Sequence, residues 1–359
     1  MELASGHEVV PVEDEEMEKK RKDFAGFKGS WIRILPGGWF LPRKFLKFAN
    51  RIYNFEIRET DVILMTYPKC GTTWMQEIIW TMRNNPQLNH PKQSTSPMAR
   101  VPFLDFDMLM LNKDKGGSIS KSHIVEMFRE LCPGKAPDDG VNLQLAEAIP
   151  DPRTIKTHLP FPLMPPSLLD TAKVVYIARN PKDVVVSCHH HNKIAPVFDY
   201  VGSFEDFVQY FVEDGLTYGP YWYHLKEAWE KRHHPNLHFI FYEDMQANLP
   251  EELKRLDAFL GPHLTEAQLE AIGHYASFDR MREREESAKR QMSGDIRKED
   301  EISEGERRTA EYAKNEGGFF RKGEVADWKN RLTPEMSAKI DQWTRDHLSN
   351  LGINFRYEI

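Results

Sequence analysis

Residues 67–74, Tyr-Pro-Lys-Cys-Gly-Thr-Thr-Trp, place a lysine, a glycine and paired threonines between the apolar run "DVILMT" and the helix-like "TTWMQEIIWTMRNN". Where a parallel strand runs into a helix, main-chain N–H groups point outward and the helix dipole adds positive potential. Gly71 lets the backbone approach a ligand, Thr72 and Thr73 add hydroxyls, and Lys69 adds a mobile charge. These are the parts of a phosphate cradle. A plain strand-to-helix connection is the competing reading, and Trp74, which can stack on a base, weighs against it. The turn is P-loop-like but is not a Walker A loop, because the lysine precedes the glycine and G-x-x-x-x-G-K-[ST] is absent.

Three further groups could serve the same anion. In "YIARNPKDVVVS", Arg179 ends an apolar run, Asn180 suits a helix N-cap and Pro181 the first helical position. Arg179 and Ser187 could clasp one phosphate from two elements, although an arginine is equally an ordinary ion-pair partner. In "FFRKGEVADWK", Arg321, Lys322 and Gly323 read as an anion nest or as a basic surface turn. In "IKTHLPFPLMPP", Lys156 and His158 flank Thr157 at a strand end, where catalytic groups gather in open α/β sheets. Neutral imidazole is a suitable base for a hydroxyl near neutral pH. Cys70, beside the cradle, invites a lowered thiol pKa, but nothing places a catalytic partner beside it. The run "CHHHN" is no metal motif: consecutive helical residues point about 100° apart, so His189, His190 and His191 cannot converge on one ion. No metal is expected, and the run reads as structural or pocket-lining.

The elements that must carry these groups follow from periodicity. Apolar runs at "DVILMTY", "RTIKTH", "AKVVYIARN" and "NLHFIFYED" are each followed by a helical pattern, among them "PKDVVVSCHHHNK" and "PEELKRLDAFLG". Alternating strands and helices predict an α/β protein, a single domain with a central parallel sheet flanked by helices. Residues 1–25 read as a flexible charged tail and residues 26–60 as an aromatic, basic arm across the domain. In the stretch 279–316, 22 of 38 residues are charged, with no proline. That composition suits a solvated helix or disordered loop, or else an insertion acting as a lid over the active site.

Bulk properties exclude several classes. A formal net charge of −7 argues against a general nucleic-acid binder, so any anion must be caught by a local cluster of donors. Three cysteines at irregular spacing suit reduced thiols in a cytoplasmic protein. The N-terminus lacks the apolar segment of a signal peptide, and no window is apolar enough to span a membrane. No membrane partner is expected.

Taken together the four motifs resemble the cytosolic sulfotransferases, from about residue 40 onward. That family moves sulfonate from 3′-phosphoadenosine 5′-phosphosulfate (PAPS) to hydroxyl or amine acceptors, without a metal. Its Y-P-K-S-G-T-T-W, K-T-H-L-P, R-N-x-K-D-x-x-V-S and R-K-G-x-x-G-D-W-K segments match residues 67–74, 156–160, 179–187 and 321–329 in order. The resemblance assigns Lys69, Cys70, Gly71, Thr72, Thr73 and Trp74 to the 5′-phosphosulfate and adenine. It assigns Arg179, Ser187, Arg321, Lys322 and Gly323 to the 3′-phosphate. Tyr242, in "FYEDM", and Ser277 and Phe278, in "YASFDRM", look like its adenine contacts. His158 is implied as the base, with Lys69 and Lys156 steadying the transferring group.

Departures from the pattern are local. Cys70 replaces a serine, Ala326 replaces the second glycine of the late motif, and "KNRLTPEMSA" keeps Lys329 and Thr333 of the family's dimer segment but not its Val and Glu. The family's usual dimer is therefore not expected. The N-terminal arm and the charged insertion also look like arthropod members of the family, including retinol dehydratase. That similarity raises a same-donor dehydratase acting on an allylic alcohol such as a retinoid; a nucleotide-binding protein without turnover is a further alternative. Aromatic stretches at 101–106, "HHHNK" and "SFEDFVQYFVEDGLTYGPYWYHLKEAW" are either core or the walls of a pocket for a small hydrophobic hydroxyl acceptor.

Overall fold

Four short strands make the centre of the computed structural model, which describes residues 2–95, 97–110, 123–292, 302–348 and 351–359. They are β4 (Val62–Thr66), β5 (Thr154–Thr157), β6 (Lys173–Ala178) and β7 (Leu237–Phe241), all parallel, in the order β5-β4-β6-β7. The strand "VILMT" has no polar alternation because it is buried on both faces. Ile63 and Met65 join one apolar core with Ile155, Val174 and Tyr176; Val62 and Leu64 join the other with Met75, Ile78 and Val175. A two-residue period thus feeds two helix layers, as the sequence predicts.

Helices relevant to the site are α1 (Asp14–Asp23), α2 (Thr72–Asn84), α3 (Pro181–Ile194), α4 (Tyr242–Ala247), α5 (Phe278–Met292) and α6 (Glu304–Glu316). Asn180 caps α3 by accepting the Asp183 N–H, with Pro181 in its first turn.

Register decides where chemistry can gather. Met65 pairs with Thr157, so Thr66 and His158 leave the sheet at one level. Ala178 pairs with Phe241, so Arg179 and Tyr242 do the same. The starts of β4 and β5 are fastened by a fully buried ion pair between Asp61 and Arg153. Arg153 Nε donates to Asp61 Oδ1 at 2.7 Å, and its remaining N–H groups reach the carbonyls of Ala146 and Glu56 at 3.0 and 2.9 Å.

The N-terminal segment differs from the expected flexible tail. Residues 8–11 form β1, which pairs antiparallel with β2 (Trp31–Leu35), itself paired with β3 (Trp39–Pro42). The helix α1 buries Met17, and Phe24 follows it into the core. Lys20 is sunk as well: its ammonium donates to the Gly215 carbonyl at 2.5 Å and lies 4.2 Å from the centre of the Tyr210 ring. A long aliphatic stem covered by aromatic faces lets a charge-rich helix dock. Burial lowers that ammonium to about 8.

Of the charged insertion, α5 and α6 are described; residues 293–301 lie outside the described residues. A capping box at Ser303 and Glu306 starts α6, and its Arg308 grips the buried Asp199 with Nε–Oδ1 at 3.0 Å and Nη2–Oδ2 at 2.5 Å. The described part is neither a free coil nor an isolated helix.

Removing one member of the Asp61–Arg153 pair strands a buried charge. Asp61→Ala is expected to cost about 3–5 kcal/mol of unfolding free energy, read from a denaturant titration. An unchanged midpoint would show that other contacts set the register of β4 and β5.

Candidate active site

The turn after β4 is shaped by backbone conformation. Lys69 has φ 69° and Gly71 φ 101°, so the chain passes twice through the left-handed region before α2 begins. A Cβ on Gly71 would lie 2.6 Å from the Tyr242 ring, so only glycine lets the helix start under that ring. Cys70 points the other way. It is fully buried, its Sγ faces the Pro68 carbonyl at 3.9 Å, and burial pushes the thiol well above its ordinary pKa. Desolvation thus outweighs the lowering that a cradle position invites. With its Sγ buried, Cys70 offers the cradle only its main chain.

A second wall converges on this turn. The Arg179 guanidinium lies 4.3 Å from the centre of the Tyr242 ring and donates to the carbonyls of Lys69 (3.3 Å) and Glu324 (2.9 Å), leaving Nε buried without a protein partner. The Tyr242 hydroxyl donates to the Gly323 carbonyl at 3.0 Å, and Trp74 stands edge-on to Tyr242 at 5.8 Å. Gly323, φ 70°, passes so near Phe278 that a Cβ there would lie 2.2 Å from the ring. Arg321 and Lys322 share Asp327, each at 2.5 Å, and Arg321 Nη1 is left without a protein partner. Burial opposes the Asp327 charge, yet hydrogen bonds from Lys322 and Arg321 hold its carboxyl at about 2. Ala326 keeps the left-handed φ of 70° that the family's glycine takes freely, and its N–H donates to Asp183 Oδ2 at 3.0 Å. The turn survives the substitution, held by that bond.

The third group stands at the end of β5. His158 Nδ1 lies 2.8 Å from the Thr66 carbonyl and 3.1 Å from Thr66 Oγ1, which itself lies 2.7 Å from Thr72 Oγ1. A carbonyl only accepts, so Nδ1 carries the proton and Nε2 keeps its lone pair. Burial and the Lys156 charge depress the His158 pKa well below its ordinary value, so the ring is neutral at pH 7. Burial brings Lys156 down to about 8 against the charge of Asp105. Burial also brings Lys69 to about 8, with the charges of Lys156, Arg179 and Arg321 acting in the same direction. Each ammonium rests on a ring face: Lys156 on Phe103 at 4.2 Å, Lys69 on Phe319 at 4.1 Å.

The structure therefore brings Lys69, Gly71, Thr72, Trp74, Lys156, His158, Arg179, Tyr242, Phe278, Arg321, Lys322 and Gly323 into one chain of contacts. Thr73 takes its place in the first turn of α2. Among the described residues no side-chain hydrogen bond joins Ser187 or Ser277 to this set; Ser187 sits on the second turn of α3 and Ser277 precedes Phe278. The three histidines diverge, His189 stacking on Phe204 at 4.5 Å, His190 bonding the Gly318 carbonyl at 3.0 Å and His191 edge-on to Phe319 at 6.0 Å. No group of three or more His, Cys, Asp or Glu among the described residues could hold a metal. Asp105 and Tyr218 lie in stretches read from the sequence as core or pocket wall, and Phe319 in the late basic motif, but none of the three was singled out. One signal existed: an acid inside the apolar "VPFLDF" must find donors if it is buried.

Left-handed turns under a ring, orphaned guanidinium nitrogens and an aromatic bracket thus converge beyond the carboxyl ends of the strands in an α/β protein. A sulfotransferase-domain family model matches residues 59–352, and the chain belongs to the sulfotransferase family. Mouse sulfotransferase 1A1 is 33% identical over 346 residues, covering 96% of this chain and 100% of that protein. Rat sulfotransferase 1A1 is 34% identical over 322 residues, covering 89% and 95%. Retinol dehydratase in complex with androsterone and the inactive cofactor PAP superposes with a TM-score of 0.78 at 30% identity, covering 97% of this chain and 98% of that one. A complex of retinol dehydratase with retinol and PAP gives 0.77 at 29%, covering 98% and 99%. Among the described residues no helix is long and apolar enough to cross a membrane.

Gly323→Ala puts a methyl group into the Phe278 ring and strains the backbone. Its dissociation constant for PAP, measured by calorimetry, is expected to rise on the order of tenfold or more, the effect of 1–3 kcal/mol of strain. An affinity within about twofold of wild type would exclude Gly323 from the nucleotide site.

Proposed function

We propose that this protein transfers sulfonate from PAPS to the hydroxyl of a small hydrophobic acceptor, with His158 as general base. The observation that carries the reading is one hydrogen-bonded line. Thr66 Oγ1 meets both the cradle's Thr72 and the His158 ring, so the acceptor's base and the donor's cradle are set on the same strand end. The donor supplies the sulfonate, which passes to the acceptor oxygen as its bond to the nucleotide phosphate breaks. The lone pair of His158 Nε2 takes the acceptor's proton. Lys69 offsets the charge that develops on the leaving phosphate, and Lys156 steadies the sulfonate oxygens. As in phosphoryl transfer, placement and charge account for most of the acceleration. Cys70 through its main chain, Gly71, Thr72 and Thr73 would hold the 5′-phosphate, and Trp74, Tyr242, Ser277 and Phe278 the adenine. Arg179, Ser187, Arg321, Lys322 and Gly323 would hold the 3′-phosphate, for which the unpartnered Arg179 Nε and Arg321 Nη1 are suited donors.

Retinol dehydratase favours a second reading, in which the same donor sulfonates an allylic alcohol and sulfate then leaves the ester with loss of a proton, because that protein superposes at a TM-score of 0.78. Product analysis separates the two: incubation with PAPS yields stable sulfate esters from phenols on the first reading and a dehydrated product from retinol on the second. Tight PAP binding without product from either acceptor class would leave a binding protein.

We also infer that α6 and the residues after it cover the chamber. Phe319 lies against Lys69, Tyr312 of α6 lies 5.6 Å from the His190 ring, and Arg308 holds Asp199. With PAP bound, amide exchange in residues 304–323 is expected to slow more than in the central strands. Equal exchange with and without PAP would make the insertion a bystander.

Protonation states give a kinetic test. His158 is competent as a base above its depressed pKa, so no activity is lost between pH 7.5 and about 6.5, the ordinary histidine value. The lysines bind as cations below about 8 and lose that charge above it, so kcat/KM for PAPS falls above about pH 8. His158→Ala is expected to lower kcat on the order of a hundredfold or more with PAP affinity nearly unchanged. Turnover within about threefold of wild type would remove His158 from the mechanism.

A further inference from the structure

Beside the acceptor base lies a carboxylate to which the reaction above gives no part. Asp105 is 2% exposed and receives three donors: Thr157 Oγ1 at 2.7 Å and the His158 N–H at 3.2 Å on Oδ1, and the Tyr218 hydroxyl at 2.5 Å on Oδ2. We propose that Asp105 is the positioning residue of the acceptor side, fixing the strand end that bears Lys156 and His158 and setting a negative charge against Lys156. The inference rests on the sulfonate-transfer reading.

The carboxylate acts first through the main chain. Thr157 Oγ1, held by Asp105, accepts the Leu159 N–H at 3.0 Å, so the backbone on both sides of His158 is tied to one group. The chain before Asp105 runs along β5 as an added edge: Leu104 N–H donates to the Lys156 carbonyl at 2.8 Å, and Lys156 N–H to the Pro102 carbonyl at 2.9 Å. That run sets the Phe103 ring edge-on to His158 at 5.0 Å, with its face under the Lys156 ammonium. On the other side, Tyr218 stands edge-on to His158 at 5.4 Å, its backbone at φ 75° and its hydroxyl bonded to Asp105. An unusual φ for a bulky residue persists only when its surroundings over-determine it, and Asp105 is one such constraint.

Charge is the second action. Three donors facing one group fit an ionised carboxylate, which only accepts; an amide would turn an NH₂ toward one of them. The ionisable groups around it are Lys156 and His158 at the end of β5 and Tyr218 opposite, with Lys69 beyond Lys156. Among the charges, it is Asp105 that counters the desolvation of Lys156. Burying an unpaired charge is costly, so removal of this partner should release the Lys156 proton at lower pH.

The test compares Asp105→Asn with wild type in pH-rate profiles and in PAP calorimetry on the full chain. The basic limb of kcat/KM for PAPS is expected to move about one pH unit or more toward acid, with kcat at pH 7.5 lowered and PAP affinity within about twofold. Asp105→Glu, which restores the charge, should return the limb toward its wild-type position. A limb that stays in place in Asp105→Asn, a limb that stays shifted in Asp105→Glu, or PAP affinity lost in step with activity would each overturn the proposal. Should Asp105→Asn not fold, Tyr218→Phe is read instead. It keeps the ring and removes one donor, so kcat should fall at unchanged PAP affinity, and wild-type kcat would overturn the proposal. A wild-type chain without turnover would sink the sulfonate-transfer reading itself; an active wild type beside an unshifted Asp105→Asn sinks only this inference.

Discussion

Four cations gathered in one desolvated chamber set the terms for everything around them. Lys69, Lys156, Arg179 and Arg321 lie near enough that the last three each depress Lys69, and burial brings both lysines to about 8. Such a cluster is unfavourable without anions to answer it. Internal substitutes answer part of it: Asp327 takes Arg321 and Lys322, main-chain carbonyls take Arg179, and ring faces carry Lys69 and Lys156. These contacts are partial, since a guanidinium nitrogen of Arg179 and another of Arg321 stay unpartnered.

The sheet exists, in this sense, to hold those charges at fixed separations. Parallel register brings the ends of β4 and β5 to one level and the ends of β6 and β7 to another, so each wall is carried by a neighbouring pair of strands. The buried Asp61–Arg153 pair fastens the far end of the first pair. A network beneath the second pair works similarly. Glu243 Oε1 accepts the N–H and the side-chain amide of Asn180, each at 2.8 Å, and burial raises that carboxyl to about 7. Its two donors come from the residue that follows Arg179, so the loop bearing that arginine is anchored to α4.

What the sequence made legible were elements whose signal is local. Short apolar runs marked all four central strands within three residues, and each cradle residue lay in a short contiguous motif. The failures have one physical cause: a charged residue was read as a solvated one. Lys20 lies under aromatic rings from distant segments, so a helix of acids and lysines looked like a tail. Arg308 meets Asp199 across 109 residues, which no local pattern displays. Asp105 meets Tyr218 across 113. Composition reports average solvation, whereas these side chains are exceptions stabilised by partners far along the chain.

The orientation of the rings bears on which acceptors the chamber suits. An aromatic face attracts a cation and an aromatic edge repels one. Two ring faces here are already occupied by the ammonium groups of Lys69 and Lys156, while the Phe103 and Tyr218 rings both stand steeply inclined to the His158 ring. Burial and the Lys156 charge disfavour an imidazolium, and so keep the His158 ring neutral. The same arrangement gives little help to a positive charge developing on the acceptor, since the nearest ring faces are engaged and the nearest fixed charges are lysines. Loss of sulfate from an allylic ester builds such a charge; direct attack by a hydroxyl or phenol oxygen does not. The lysine charges beside His158 are thus compatible with the proposed transfer to oxygen, and a dehydratase outcome would need its cation stabilised by the acceptor's own conjugation.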